Sequence, residues 1–265
     1  MHLEGTVRKM RTELKGVVHY FLPLGNTEVY MNELIGRTIE IKYTGTIHCI
    51  KCGRLTRTSF AQGYCYPCFI SAPETEECVL RPELCRAHEG IARDLQFAAS
   101  NCLIDHYVYL ALSPGIKVGV TRSTQIPIRW IDQGADRAIR LAKTPNRYTA
   151  GLLEVALKNI FPDKTNWKQM LLGNVSFNID LIQEKGKAEE ALPFDLKKYV
   201  VDDDEIVEIS YPLQEYPSRI KSIDIDKTKK ISGRLNGMKG QYLIFEDGQV
   251  INIRKYGGYY LEVNV

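Results

Sequence analysis

The chain has 265 residues, of which 44% are hydrophobic and 25% are charged. This length excludes a mini-protein and allows two or three modules with at least one full hydrophobic core. The formal net charge of +3 excludes a histone-like protein that is held on DNA by its overall charge. Any contact with nucleic acid therefore has to come from a local basic patch.

The cellular setting follows from the amino terminus and from the cysteines. The first residues are polar and contain no apolar signal core, and no run of about 18 apolar residues occurs elsewhere. We therefore expect a cytoplasmic protein without membrane contact. Because thiols in that compartment stay reduced, the seven cysteines indicate metal or redox chemistry rather than disulfides.

Two kinds of segment are expected in the first part of the chain. Residues 1–47 alternate apolar and polar positions in short runs separated by turn signals, which predicts a small antiparallel sheet. Residues 48–105 have little apolar periodicity and are rich in cysteine, glycine, proline and aromatic residues, as expected where a metal replaces a core. We expect an N-terminal β-domain followed by a zinc-binding segment.

The pattern changes again in the second part. Residues 106–183 contain two short strands and then helical stretches over 126–142 and 147–161, which predicts an α/β module. Within 184–265, residues 184–208 mix acidic clusters with few apolar positions and predict a surface linker, and the last forty residues predict a small barrel or curled sheet. The expected fold class is therefore α+β, with a C-terminal β-domain.

The strongest signal is a pair of cysteine knuckles. Cys49 and Cys52 form one Cys-x-x-Cys motif, and Cys65 and Cys68 form another after twelve intervening residues. One tight turn presents two sulfurs at this spacing, and two such turns complete a tetrahedral zinc site of the zinc-ribbon type. A redox dithiol or buried structural cysteines are the alternatives, but one redox pair leaves the second knuckle unexplained. With four protein ligands, the zinc is expected to be structural.

A second and less regular group follows the knuckles. Cys78, Cys85 and His88 are candidates for three ligands of a second zinc, with Cys102 or His106 as the fourth. The alternative is a set of isolated buried cysteines and a surface histidine.

The two strands of the α/β module predict a hairpin with two different faces. If the Ser-Pro-Gly turn closes the hairpin, Tyr109 lies opposite Gly119. One face is uniformly apolar and suited to packing against helices. The other face is expected to be available for chemistry and carries Tyr107, Tyr109, Lys117 and Gly119.

These residues carry a resemblance to a known superfamily. The ordered set that resembles the signature of the GIY-YIG endonucleases consists of Tyr107-Val108-Tyr109, Lys117-Val118-Gly119, Arg129, Glu154 and Asn166. The resemblance implies a small sheet flanked by helices, and phosphodiester hydrolysis with one divalent ion, usually magnesium. It further implies that Tyr109, assisted by Lys117, is the base, that Arg129 binds phosphate, and that Glu154 binds Mg²⁺. Such a set supplies an activated water, a cation and a metal, which this hydrolysis requires.

The same residues also have ordinary structural interpretations. Tyrosines on strands usually pack as amphipathic side chains, and Glu154 has Lys158 at i+4, a common surface pair on a helix. The first motif lacks its glycine, and lysine at position 117 stands where the second motif often has tyrosine. Because a fold can outlive its chemistry, catalysis and a purely structural role both stay open.

The chain also resembles a bacterial family of uncharacterised proteins. The shared blocks are the two Cys-x-x-Cys pairs, R-P-E-L-C, R-W-I-D-Q-G-A, T-P-N-R-Y and D-K-T-N-W, which span most of residues 45–173. This resemblance brings no established activity.

A basic stretch supplies a candidate surface for phosphates. From Lys117 to Arg147 the chain has seven basic residues against two acidic ones, and such a patch is where phosphates bind. The residues expected to contact substrate are Gly119, Arg122, Arg137, Arg140, Arg147 and Asn166. The leading hypothesis is a zinc-containing nucleic-acid-binding protein with Mg²⁺-dependent endonuclease activity. The alternatives are a non-catalytic nucleic-acid-binding module and a zinc-stapled scaffold for protein interactions.

Overall fold

A computed structural model describes residues 2–162 and 165–265 of the chain. The D-K-T-N-W block begins with Asp163 and Lys164, which lie outside the described residues. The chain divides into two compact units. Unit 1 comprises Met1–Ile70, Leu171–Gly173 and Ile209–Val265, and unit 2 comprises Ser71–Met170 and Asn174–Glu208.

Strands dominate unit 1, whereas most helices belong to unit 2. In chain order the elements are β1 (His2–Thr6), β2 (Arg11–Lys15), β3 (Val17–Leu24), β4 (Thr27–Tyr30), β5 (Thr38–His48), β6 (Leu55–Thr56), α1 (Tyr66–Ser71), α2 (Leu95–Asn101), β7 (His106–Leu112), β8 (Ile116–Arg122), α3 (Ile128–Asp132), β9 (Arg137–Thr144), α4 (Arg147–Leu157), α5 (Trp167–Leu171), α6 (Leu181–Ala191), α7 (Phe194–Lys197), β10 (Ile206–Glu208), β11 (Lys221–Ser222), α8 (Ile225–Thr228), β12 (Lys230–Lys239), β13 (Tyr242–Phe245), β14 (Gln249–Asn252) and β15 (Tyr259–Asn264). Within the described part of the chain, no helix combines the length and apolar character that a bilayer crossing needs.

Unit 1 is built on an eight-stranded sheet with the order β1-β15-β5-β12-β13-β14-β11, in which β6 also pairs with β5. β1 pairs with β15, and both β12 and β15 pair with β5. A separate antiparallel sheet contains β2, β3 and β4. The segments expected as separate N-terminal and C-terminal β-domains therefore share one sheet, because local alternation does not reveal which distant strands will pair.

Unit 2 contains a four-stranded sheet with the order β10-β9-β7-β8. The predicted hairpin register is confirmed, since Tyr109 lies opposite Gly119 in the β7–β8 pair. The apolar face of the hairpin forms one core with residues of β9, α4 and α6, including Val108, Leu110, Val118, Ile139, Leu141, Leu153, Leu157 and Leu181. This face packs against helices as expected.

One predicted helical stretch is wrong over much of its length. Instead of a helix over residues 126–142, α3 ends at Asp132, and Gly134 follows with a φ of +69°. β9 then begins at Arg137 and pairs with β7. A short apolar run is compatible with the periodicity of a helix and with that of a strand. Here the run forms a strand because it pairs with β7. The other predicted helix is confirmed as α4.

The segment expected as a surface linker is also folded. Asp180 caps α6, because its carboxylate accepts hydrogen bonds from two backbone amides of the first turn. Leu181, Lys185 and Ala188 share the buried face of this helix. The Lys185 ammonium group donates to the Asp204 carboxylate at 2.9 Å. The apolar face of α6 is narrow, so polar and charged residues dominate the composition of the segment. Composition alone therefore predicted a surface linker.

Candidate functional site

The two cysteine knuckles converge in unit 1. Cys49 and Cys52 follow the end of β5, Cys65 and Cys68 lie at the start of α1, and the four sulfurs lie within 4.8 Å of one another. The sulfurs of Cys52 and Cys65 are 3.8 Å apart, close to the edge of a tetrahedron whose Zn–S bonds are about 2.3 Å long. All seven cysteines of the chain are free thiols. The cluster therefore fits a structural metal ion such as zinc.

Backbone amides favour the thiolate form of two of these residues, Cys49 and Cys52. Burial opposes the ionisation of Cys49, but amides of Cys65, Cys52 and Lys51 donate to its sulfur and lower its pKa to about 6. The amide of Arg54 donates to the sulfur of Cys52 and lowers the pKa of that thiol. Thiolates are the form that binds zinc, so the local backbone is arranged for metal binding.

A second group of thiols lies in unit 2. Cys78, Cys85 and Cys102 are buried, and their sulfurs lie within 4.8 Å of one another. Cys102 thus joins the two cysteines that the sequence had already grouped. Cys102, one of the two candidates for the fourth ligand, is therefore in place. The set includes neither His88, an expected ligand, nor His106, the other candidate. This cluster is also compatible with a metal ion.

The two candidate histidines make other contacts. His88 stacks on Tyr148 with the ring centroids 4.4 Å apart, and Tyr148 packs against the buried core formed by the three cysteines, Ala87 and Ala98. His106 is buried, and its Nδ1 lies 2.8 Å from the carbonyl oxygen of Ile104. Burial lowers the pKa of His106 to about 4, so this ring is neutral at pH 7.

Arg147 brings a positive charge to the three-cysteine cluster. Hydrogen bonds from Cys102 and Cys78 lower the pKa of Cys85 to about 3, and the contact with Cys78 raises the pKa of Cys102. The guanidinium group of Arg147 lies 3.7 Å from the sulfur of Cys78 and donates to the backbone carbonyl of Asn101. Arg147 was expected to contact substrate, but it is only 8% exposed. It faces sulfur rather than solvent.

Two members of the predicted hydrolytic site, Arg129 and Glu154, lie near Tyr109 in unit 2. Tyr109 is fully buried, and its hydroxyl donates to the side-chain oxygen of Gln133 at 3.0 Å. Burial raises the pKa of Tyr109, the Arg129 cation lowers it, and the Glu154 carboxylate raises it. Trp130 contacts the tyrosine ring edge to face. The expectation that this face is available for chemistry is therefore wrong at Tyr109, because Trp130 and Gln133 cover it.

Two further members of the predicted site lie on β8. Gly119 gives the tyrosine its space, since a Cβ at this position would lie 2.6 Å from the Tyr109 hydroxyl oxygen. Lys117 is 3% exposed, and its ammonium group donates to the hydroxyl of Thr165 at 2.5 Å. Lys117 therefore shares the face with Tyr109 but is engaged with another residue.

The last two members have contacts typical of helices. Glu154 on α4 is 8% exposed, and its carboxylate lies 3.8 Å from the Lys158 ammonium group. The side-chain oxygen of Asn166 accepts from the backbone amide of Gln169 at the start of α5. The i+4 pair that the sequence suggested for Glu154 is thus present, and Asn166 acts as a helix cap.

The basic stretch of residues 117–147 does not form an open patch. Arg140 pairs with Asp203 and Glu205, and Lys143 pairs with Asp105. Arg137 donates to the carbonyl groups of Phe177 and Ile179, and Arg122 donates to the side chain of Asn101. The acidic partners lie outside the stretch in sequence, so counting charges within it overestimated its free positive charge. The residues expected to bind phosphates are engaged within unit 2.

Another group of basic residues, which the sequence analysis missed, lies on the loop that carries the four-cysteine cluster of unit 1. We call the exposed residues Lys51, Arg54, Arg57 and Tyr66 the ribbon surface. Within the described residues, neither Arg54 nor Arg57 forms an ion pair with a carboxylate. Tyr66 is 57% exposed and contacts Phe60 edge to face. The available signal was the absence of any acidic residue between Glu40 and Glu74.

Comparison with known proteins places the chain in one family. No curated protein sequence and no solved structure matches it. A family model described as a protein of unknown function, DUF2797, matches residues 36–261. This range includes both cysteine clusters and most of both units. The chain therefore belongs to the DUF2797 family.

Proposed function

We propose that this chain is a zinc-containing protein that binds nucleic acid through the ribbon surface. The supporting observation is that Arg54 and Arg57 are exposed without a carboxylate partner in the described residues, on the same metal-held loop as the exposed ring of Tyr66. Guanidinium groups bind phosphates in a bidentate manner, and aromatic rings stack on bases. The two chemistries together suit a single-stranded or unpaired region better than a regular duplex.

The charge of the metal site has to be considered with that of the arginines. A zinc ion held by four thiolates has a net charge of about −2, which attracts nearby cations. Backbone amides that donate to Cys49 and Cys52 disperse part of this charge. The guanidinium groups of Arg54 and Arg57 then remain available for phosphates.

Binding is tested with labelled oligonucleotides, measured by fluorescence anisotropy over a series of salt concentrations. The double variant Arg54→Ala/Arg57→Ala is expected to bind more weakly. Its salt dependence should have a slope smaller by roughly 1.4 for a single strand, because each lost phosphate contact removes about 0.7.

The matched control is Arg81→Ala/Arg86→Ala. It removes the same charge from exposed arginines of unit 2 that pair with glutamates. Equal losses in the two double variants, or wild-type binding that does not respond to salt, would contradict the proposal.

Tyr66 provides a separate prediction for the same assay. Tyr66→Ala should weaken binding roughly 5- to 150-fold, since stacking of a base on an aromatic side chain contributes about 1–3 kcal/mol. Tyr66→Phe keeps the ring and should bind like the wild type. If both variants bind alike, the ring does not stack on bases.

A second candidate function is phosphodiester hydrolysis at the Tyr109 site. The resemblance to the GIY-YIG endonucleases stays a prediction, and one observation favours it. Arg129 and Glu154 are close enough to Tyr109 to shift its pKa, as a shared site requires. Magnesium at Glu154 would supply Lewis-acid stabilisation of the phosphate. Because Tyr109 is fully buried, the residues that cover it have to move before a phosphodiester can reach its hydroxyl.

Hydrolysis is tested with Mg²⁺ and labelled single-stranded, duplex and branched DNA and RNA. Tyr109→Phe should reduce cleavage by at least about 100-fold, the usual contribution of an acid–base group. Glu154→Gln should also strongly reduce cleavage, because it removes the carboxylate expected to bind Mg²⁺. Glu189→Gln changes an exposed carboxylate on α6 and should leave cleavage unchanged. Wild-type protein that cleaves none of these substrates would rule out hydrolysis and leave nucleic-acid binding untouched.

A further inference from the structure

The three thiols of unit 2 form a triangle that fits a single metal ion. The sulfurs of Cys78, Cys85 and Cys102 lie within 4.8 Å of one another, and all three residues are buried. An iron–sulfur cluster distributes its cysteine ligands over several metal atoms, whereas one ion brings all its ligands close together. A single ion with thiolate ligands in tetrahedral geometry is most often zinc.

The turn at Cys85 shares one hydrogen bond with the Cys49–Cys52 knuckle of unit 1. The amide of Ala87, two residues further on, donates to the sulfur of Cys85. In the ribbon the amide of Lys51, also two residues further on, donates to the sulfur of Cys49. In that knuckle the second ligand follows the first by three residues. The residue three positions after Cys85 is His88.

His88 is beside the cluster and is only weakly held. Its ring stacks on Tyr148, which packs against the buried core that contains the three cysteines together with Ala87 and Ala98. The nearest charged partner of its Nε2 is the carboxylate of Glu89 at 3.8 Å, and the side chain is 30% exposed. Imidazole nitrogen completes a Cys₃His site, a common form of structural zinc.

Arg147 supplies the charge balance for such a site. A zinc ion with three thiolates and one neutral histidine has a net charge of about −1. Arg147 is buried beside Cys78, and no carboxylate of the described residues forms an ion pair with it. A buried cation without a compensating negative charge is costly, whereas the same cation next to an anionic metal site is compensated.

We propose that Cys78, Cys85, Cys102 and His88 bind a second zinc ion. Its role is structural and separate from nucleic-acid binding by the ribbon surface. The ion joins three short 3-10 helices, Glu77–Val79, Pro82–Leu84 and Ala87–Glu89, to the end of α2 in a segment that contains no strand.

Metal counting tests the existence of the site. Purified wild-type chain should contain two zinc ions by mass spectrometry, and Cys65→Ser and Cys85→Ser should each retain one. A wild-type chain with one zinc, or a Cys85→Ser chain with two, would overturn the proposal.

Competition with a chromophoric chelator tests the fourth ligand. His88→Ala should lower the zinc affinity of one site at least tenfold. His19→Ala, a change elsewhere in the chain, should leave both affinities unchanged. A loss of affinity in His106→Ala instead of His88→Ala would overturn the assignment of His88.

Cobalt(II) substitution gives a second readout that does not depend on affinity. His88→Cys should keep a tetrahedral cobalt spectrum and gain sulfur-to-metal charge-transfer intensity, because a fourth thiolate replaces the imidazole. An unchanged charge-transfer intensity in His88→Cys would show that residue 88 does not bind the metal. Circular dichroism of each variant identifies any that fail to fold, and the cobalt comparison is made on folded protein.

Discussion

Gly119 shows how a single missing side chain shapes the Tyr109 site. It lies opposite Tyr109 in the hairpin, and the tyrosine ring occupies the space above it. A Cβ at Gly119 would lie 2.6 Å from the Tyr109 hydroxyl oxygen and 2.7 Å from the ring carbon that bears it. The glycine of the second motif is therefore explained by packing, whether or not the site is catalytic.

Gly119→Ala is accordingly expected to destabilise the protein by about 1–3 kcal/mol, the usual cost of overpacking a buried site. Gly115→Ala is the matched control, because a Cβ there meets nothing within 4 Å. Urea unfolding measures both. If the two variants lose equal stability, the contact between Gly119 and Tyr109 is not the cause.

A second prediction at the residue scale is that the burial of His106 makes the stability of the protein depend on pH. Burial lowers its pKa to about 4 in the folded chain, compared with about 6.5 in the unfolded chain. Between these values the unfolded state binds more protons, so stability is complete above pH ~6.5 and falls as the pH drops towards ~4. The loss attributable to His106 approaches roughly 3 kcal/mol.

His106→Gln should remove this part of the pH dependence. The measurement is the difference in unfolding free energy between wild type and variant at pH 7 and at pH 4.5, since acid also releases metal from thiolates in both proteins. A difference that does not change with pH would show that His106 does not titrate as expected.

At the scale of elements, substituting alanine for two helical glycines is expected to change the free energy of unfolding in opposite directions. Gly186 lies in α6 and is exposed, and a Cβ there meets nothing within 4 Å. Gly151 lies in α4, where a Cβ would lie 2.2 Å from the backbone nitrogen of Glu83 and 2.4 Å from the carbonyl carbon of Pro82. Gly186 therefore weakens α6, whereas Gly151 allows α4 to approach the 3-10 helix Pro82–Leu84.

Gly186→Ala should therefore raise the free energy of unfolding by about 1 kcal/mol, because alanine has the higher helix propensity. Gly151→Ala should lower it by roughly 1–3 kcal/mol, because backbone atoms have to move. Both are measured by denaturant unfolding of the full chain. Stabilisation by Gly151→Ala would contradict the close approach of α4 to the Pro82–Leu84 turn.

At the scale of the whole molecule, the sheet of unit 1 and the cysteine-bearing segment of residues 49–71, here called the ribbon, are expected to depend on metal to different extents. The eight-stranded sheet of unit 1 is joined by long strand pairs such as β5–β15 and β5–β12. The ribbon contains only the two-residue strand β6 and the six-residue helix α1. A segment with so little regular structure is expected to rely on a bound metal for folding free energy.

Removal of zinc with a chelator should therefore unfold residues 49–71 locally. Hydrogen exchange followed by mass spectrometry should show lost protection there, whereas β5, β12 and β15 stay protected; added zinc should restore the ribbon. Uniform loss of protection across the sheet, or none in the ribbon, would contradict this division.

The features that the sequence alone determined are those encoded within a short span. The Cys-x-x-Cys knuckles, the hairpin register at Tyr109 and Gly119, and helix α4 all depend on spacing or periodicity among near neighbours. Their prediction needed no knowledge of distant residues. The α+β class was predicted from the same local patterns. The family membership, too, rests on the sequence of the chain.

Only the tertiary structure decided the features that depend on distant pairing and burial. It brought Cys102 to Cys78 and Cys85, joined the first and last strands in one sheet, and covered the Tyr109 face. It also placed the acidic residues Asp105, Asp203 and Glu205 against the basic stretch of residues 117–147. The physical reason is the same in each case: a residue type specifies which contacts are favourable, and the packed chain determines which partner is near enough to make them.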